Sequence, residues 1–348
     1  MKLERFLAYL AIPILLAVAG LAASLAAAEP KLAPEFPAVI AMGIKGQNPT
    51  KVTKLNLWRT EIRDEDLAAL KSLPQLESLD LSRTTIGDAG LAHLKSLTKL
   101  TSLSLFDTRV SDAGLEHLKT LTTLEELCLS YTRVSDAGIE HLKALTQLTQ
   151  LELSDTQVSG AGLVHLKPLT KLESLDLSRT TIGDAGLAHL KSLTKLTSLN
   201  LFDTRVSDAG LEHLKPLTKL KVLRLEGTKV GDAGLEHLKT LTQLEDLDLS
   251  ETEISDAGLV HLEPLTKLKV LKLDGTKISG AGLVHLKTLT QLEVLNLSGT
   301  KVGDAGIECL RPLTRLEHLV LDDTEVTKAV VEALTKSRPK CDISWRPR

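Results

Sequence analysis

Twelve consecutive copies of a 24-residue unit, L-x-x-L-x-L-x-x-T-x-V/I-x-D-A-G-L-x-x-L-K-x-L-x-x, follow one another in this chain without a slip in register. The central leucine stands at Leu55, Leu79, Leu103, Leu127 and onward to Leu319, and a partial thirteenth copy begins at Ile343. A single unit of this length cannot bury its own apolar face, so the units must stack into a solenoid. The constant positions build the core. Recognition of any partner has to be written in the positions that vary.

The unit at residues 100–123, LTSLSLFDTRVSDAGLEHLKTLTT, shows how the stack is made. Leu103-Ser104-Leu105 alternates, so the leucines point inward while Ser102, Ser104 and Phe106 point away. Such strands stacked in one direction form a parallel sheet at ~4.8 Å spacing. Leu115, Leu118 and Leu121 then recur three apart and predict a short helix with a narrow apolar stripe. Ser111 or Asp112 is placed to cap its first turn, and an aspartate there suits the positive end of the helix dipole. Pro168, Pro216, Pro264 and Pro312 share one position after the helix and stop it. Strands on one side and bulkier helices on the other predict a curved α/β solenoid, with about 12–13 short parallel strands on the concave side and short helices on the convex side.

On these residues the array resembles the leucine-rich-repeat superfamily, a right-handed superhelix or horseshoe. The T-x-V/I-x-D-A-G-L variant looks like its exported bacterial members. The resemblance covers residues 54–345 and includes the closing segment Arg338-Pro339-Lys340-Cys341-Asp342-Ile343. It implies a fold and leaves activity open, because the fold serves many unrelated binding roles. One departure is systematic: threonine stands where the superfamily most often has asparagine or cysteine. Thr84, Thr108, Thr132, Thr156, Thr180, Thr204, Thr228, Thr252, Thr276 and Thr300 are the inner members of that column. Their hydroxyls are expected to form a structural ladder tying each turn to the backbone of the next unit.

Two further columns look chemical. Histidine recurs from His93 to His285, with Cys309 next, but each ring stands alone in its unit without a second ligand at metal-binding spacing. Packing between helices, with one ring nitrogen bonded to a neighbour, is the expected role. The glycines from Gly90 to Gly306 mark a close backbone approach at the helix start. The lysine column from Lys71 to Lys287, interrupted by Glu263, reads as solvated helix surface with local pairs such as Glu116 with Lys119.

The ends differ from the array. Lys2 and Arg5 precede an uncharged run from Phe6 to Ala28 that closes on Ala26-Ala27-Ala28, the pattern of a signal peptide or, if uncleaved, a membrane anchor. Either reading exports the repeats, as a periplasmic, secreted or outward-facing anchored chain. Residues 29–36 read as a linker, 37–53 as an N-terminal cap, 54–325 as the array and 326–348 as a C-terminal capping unit. Three cysteines, Cys128, Cys309 and Cys341, form no paired framework, and a Cys309–Cys341 bridge spans too far.

Within the twelve units every aromatic residue, Trp58, Phe106, Tyr131 and Phe202, lies at the outward end of a strand or one residue beyond. Exposed aromatics on a concave surface anchor partners, or each simply shields its own turn by lying over small neighbours such as Ser82 and Ser130. Val222, Val270 and Val294 also face outward, interleaved with Glu226, Asp246, Asp248 and Asp274. The residues flanking each central leucine, with those three and four beyond it, include fourteen acidic and six basic side chains. The sheet face is therefore acidic although the chain carries a net charge of only -3. Acidic groups repel phosphates and exclude nucleic acid; they suit a basic protein segment, peptidoglycan amines or weakly held calcium, or merely keep the face soluble. Segment 76–119 reappears four units on as 172–215 with one change, Ser104 against Asn200, so Phe106 and Phe202 count as one observation.

Together these features favour a non-catalytic, cofactor-free interaction module that takes a protein or envelope polymer on its concave face and, if the leader is uncleaved, meets membrane only through residues 6–28. A spacer protein of the cell envelope with no defined ligand is the alternative. An enzyme is disfavoured, since no nucleophile with an adjacent base, phosphate loop or metal spacing is present. A ubiquitin-ligase substrate receptor is disfavoured by the export segment.

Overall fold

The computed structural model describes Ile40, Gly43, Ile44 and residues 47–348. The export segment 1–28 and the linker 29–36 lie outside the described residues. Thirteen three-residue strands, from β1 (Lys54–Asn56) to β13 (Asp342–Ser344), form one parallel sheet in chain order. The register is that of the repeat: Leu55 opposes Leu79, Leu79 opposes Leu103, and Leu319 opposes Ile343. The sheet lines the concave side and the short helices the convex side. All the constant leucines lie in one continuous core between them. Each of these side chains contributes about 1.5–3 kcal/mol on full burial, and a repeat spends four or more of them.

The helical side is tighter than an α-helix. In six of the twelve units one α turn passes into a 3₁₀ segment, as in Asp112–Leu115 followed by Glu116–Thr120. Leucines three residues apart match the three-residue turn of the 3₁₀ form, which keeps Leu115, Leu118 and Leu121 on one line. Where proline follows, the segment ends early, as at Glu212–Leu214 before Pro216.

Two expected bonds are made differently. The threonine hydroxyls do not reach the next unit. Each donates to the leucine carbonyl three residues back in its own unit, from Thr60 to Leu57 through Thr324 to Leu321, with Thr156 at 2.6 Å from the Leu153 oxygen. The residue before each threonine explains this. At all twelve of these positions, from Arg59 to Asp323, φ is positive, and this left-handed residue folds the turn back onto its own strand. The threonine column thus closes turns, while another column joins units. Asp112 accepts from the backbone N–H of Ser135 at 2.7 Å and from its hydroxyl at 2.6 Å, one unit ahead. Asp88, Asp136, Asp184, Asp232 and Asp256 do the same for their successors. Neither Ser111 nor Asp112 makes the expected bond to its own helix: Ser111 is extended (φ -124°, ψ -171°), and its hydroxyl donates to Asp88. The glycine column serves the same junction, since a Cβ on Gly114 would lie 2.5 Å from Asp88 Oδ1.

The histidines from His117 to His285 are half-buried and His93 is exposed, and the expected ring-nitrogen bond is the exception. His285 Nδ1 lies 2.7 Å from Glu263 Oε1, whereas Nδ1 of His117, His213, His237 and His261 is buried without a partner. At the ends, Ile40, Ile44 and Val52 are fully buried against the first unit. The last helix, Lys328–Ser337, leads into Arg338, whose guanidinium donates to the carbonyls of Leu313 and Leu310 at 2.5 and 2.7 Å. Trp345 Nε1 donates to Val326 O at 3.0 Å. Cys128, Cys309 and Cys341 are free.

Candidate functional site: the rim of the concave sheet

Just past each strand, two adjacent columns face outward. The first holds Trp58, Phe106 and Phe202; the second is the left-handed column, with Arg59, Arg83, Tyr131 and Arg179. The left-handed backbone turns these side chains back along the rim, and Arg83, Tyr131 and Arg179 reach rings in other units. The Arg83 guanidinium lies over the Phe106 ring at 5.5 Å, and Tyr131 meets the same ring edge-on at 5.2 Å and 61°. Arg179 donates to the Tyr131 hydroxyl at 3.2 Å and lies over Phe202 at 5.2 Å. Three of the four predicted aromatics are thereby joined into one strip, Arg83–Phe106–Tyr131–Arg179–Phe202. Trp58, 48% exposed, stands apart with Arg59 over its ring at 5.0 Å.

The strip is braced at its base. Arg83 pairs with Asp107 at 3.7 Å and Arg179 with Asp155 at 3.5 Å. Sequence reasoning found the rings and missed Arg83 and Arg179, because those contacts join residues 23 to 48 positions apart. A signal was available: both arginines occupy the column beside the aromatic one, one unit before a phenylalanine. The two serines expected to be shielded, Ser82 and Ser130, are indeed buried, and both bond within the face, Ser82 to Ser104 at 2.7 Å and Ser130 to the Ser154 N–H at 3.1 Å.

The acidic half of the face is arranged differently from the expectation. Val222, Asp246, Val270 and Val294 do form one column in register, all half-buried. Glu226 and Asp274 are half-buried beside it. Asp248, however, is only 2% exposed and not open to a partner. Its Oδ1 accepts from the Ser250 hydroxyl at 2.6 Å, and its Oδ2 accepts from Lys272 Nζ at 2.9 Å. The lysine one unit ahead folds over the carboxylate and closes it off. Asp274 in turn accepts from Asn296 at 2.7 Å. Burial raises the pKa of Glu226 and of Asp246 above the ordinary carboxylate value; nearby Asp248 adds to both shifts, while Arg224 and Lys272 oppose them. Burial beside Glu152 likewise pushes the Cys128 thiol up to about 12, which leaves it protonated and unreactive. No group of three or more His, Cys, Asp or Glu side chains among the described residues is placed to hold a metal ion. No helix among them is long and apolar enough to cross a membrane.

The Leucine Rich repeat family model matches residues 73–95, 96–119, 169–191, 192–215, 217–239, 240–262 and 288–310. Among solved structures, the chain is similar to an internalin (inlF) of Listeria monocytogenes, with 26% identity and a TM-score of 0.69 over 88% of this chain and 94% of that one. An internalin C2 of the same organism matches at 24% identity and a TM-score of 0.53, over 64% of this chain and 92% of that one. The ectodomain of the Arabidopsis receptor kinase HAESA, solved with a peptide hormone ligand, matches at 22% identity and a TM-score of 0.55, over 76% of this chain and 44% of that one. No curated protein matches the chain. The leucine ladder in register, the open thirteen-stranded parallel sheet and the repeat-family matches lead to one conclusion: this chain belongs to the leucine-rich-repeat superfamily.

Proposed function

We propose that the chain is a non-catalytic protein-binding module, exported through residues 1–28, that holds its partner along the arginine–aromatic rim of the concave sheet. The observation that carries this reading is the unbroken strip from Arg83 to Phe202. Arginine, tyrosine and large aromatics are the residues that dominate binding energy at protein interfaces. Here they are ordered before any partner arrives, through cation–π contacts and carboxylate braces, so less side-chain freedom is lost on association. The acidic floor beside the rim repels phosphate polymers and favours a basic protein segment. One observation favours the spacer reading: the near-identity of 76–119 and 172–215 is what a surface selected only for length would retain.

Affinity capture from envelope and medium fractions separates the two. The chain carrying Phe106→Ala and Arg179→Ala loses its partner at least about tenfold if the rim binds it. Equal capture by variant and parent, with unchanged melting, removes the rim as the site.

A further inference from the structure

The duplicated segments place the same half-site twice on the rim, and only one copy is filled. In the first, Phe106 lies between Arg83 on one side and the Tyr131 ring on the other. In the second, ninety-six residues on, Phe202 has Arg179 over one side. The residue equivalent to Tyr131 is Gly227, just beyond the end of the duplication. Among the described residues no second ring meets Phe202. A Cβ on Gly227 would make only ordinary contacts, 3.7 Å from Asp203 Cα and 3.9 Å from Phe202 Cε2, so nothing blocks a side chain where Tyr131 starts in the first copy, and glycine sends none.

We infer that the notch bounded by Phe202, Gly227 and Glu251 receives a tyrosine from an exposed basic segment of the protein partner. Tyr131 is the internal stand-in for that ligand, and its geometry gives the pose: edge-on to the phenylalanine, ring centroids about 5 Å apart. The hydroxyl partner follows from the same superposition of units. Tyr131 receives its bond from Arg179, whose equivalent four units on is Gly275. The Glu251 carboxylate lies across Gly275, where a Cβ would meet its Oε1 at 2.5 Å. A donor at the tip of an entering ring therefore meets an acceptor, which selects tyrosine over phenylalanine. Asp203 lies against Gly227, Glu226 precedes it and Glu251 stands on the next turn, and their charge favours lysine or arginine beside the tyrosine.

This rests on the rim as the partner-binding surface and adds where and what it grips. The test is a fluorine NMR titration of the full chain with acetyl-Lys-(3-fluorotyrosyl)-Lys-amide. The parent and Gly227→Ala bind with one saturable site. Gly227→Tyr fills the notch from within and binds at least about tenfold more weakly. It folds, because Tyr131 already occupies this position of the repeat with φ 59°. Tyr131→Gly vacates the first copy and raises the stoichiometry to two. Undiminished binding by Gly227→Tyr, or no saturable shift with the parent at millimolar peptide, overturns the notch. If the Phe106/Arg179 double variant still loses the whole partner in that case, the rim stands without it; retained capture removes both.

Discussion

Asp112 and Thr108 stand four residues apart in one unit and look equally suited to tie the array together, yet their bonds differ in reach. The Thr108 hydroxyl closes a local turn on Leu105 O at 2.7 Å, a neutral bond worth about 1 kcal/mol net. Asp112 holds the next unit through two charge-assisted bonds to Ser135, each worth roughly 1.5–3 kcal/mol. In urea unfolding, Asp112→Ala is therefore expected to lower the midpoint by more than Thr108→Val does, and the reverse order would return the inter-unit role to threonine. The left-handed column makes a second prediction. At Gly299 (φ 67°) an added Cβ finds only ordinary contacts, so Gly299→Ala measures backbone strain alone and should cost about 1 kcal/mol. A neutral result in the same unfolding assay would mean the turn relaxes. The two columns were hard to tell apart in the sequence for a physical reason. A hydroxyl and a carboxylate near a turn each have acceptors or donors both within the unit and one unit away, and the choice is made by the extended backbone of residues such as Ser111, which no spacing reveals.

At the scale of the element, the convex helices carry a column of imidazoles that are half-buried from His117 to His285. Burial lowers the pKa of His189 and of His261, and Lys167 and Lys239 respectively push them the same way. A folded value below the free one means that the fold favours the neutral ring. The stability this provides is complete above the free-histidine value of ~6.5 and drains as pH falls through the lowered folded values. The raised carboxylates Glu152, Glu226 and Asp246 have the opposite sign: they favour the fold on acidification and lose that contribution as pH rises through their folded values. The helix effect is therefore isolated by comparison. The melting temperature should fall between pH 7.5 and 5.5, and fall less in a His189→Gln/His261→Gln variant; parallel curves would show that the rings titrate freely. Strand positions were fully legible, since the leucine period sets the register that pairs Leu55 with Leu79. Helix presence was legible but helix type was not: the three-residue leucine spacing predicts a short helix, and its fit to the 3₁₀ turn shows only in the structure. The rim was half legible. Phe106, Tyr131 and Phe202 stand out by composition, but Arg83 and Arg179 acquire meaning only when units are stacked, and Asp248 looked open until Lys272 folded over it.

For the whole molecule, stability runs along one dimension, and the ends are where it fails first. Removing residues 326–348 takes away Trp345 and the Arg338 clamp and leaves Leu319 and Leu321 at an open end. Two exposed leucines cost roughly 3–6 kcal/mol together, so a chain ending at Glu325 should melt earlier and aggregate from that end in light scattering; an unchanged melt would show that the array closes without its last unit. The concave rim changes character along the same axis. The stacked rings occupy the first part of the rim, the valine column and its carboxylates follow, and the Phe202 notch lies where they meet. Hydroxyl-radical footprinting of the chain with its captured partner reads this arrangement directly, because four of the five aromatic rings among the described residues lie on the rim. The account predicts that oxidation of Phe106, Tyr131 and Phe202 drops in the complex while Trp345 at the far end is unaffected. Unchanged rim oxidation, with protection appearing instead at Val164, Val260 and Val284 on the helical side, would contradict it.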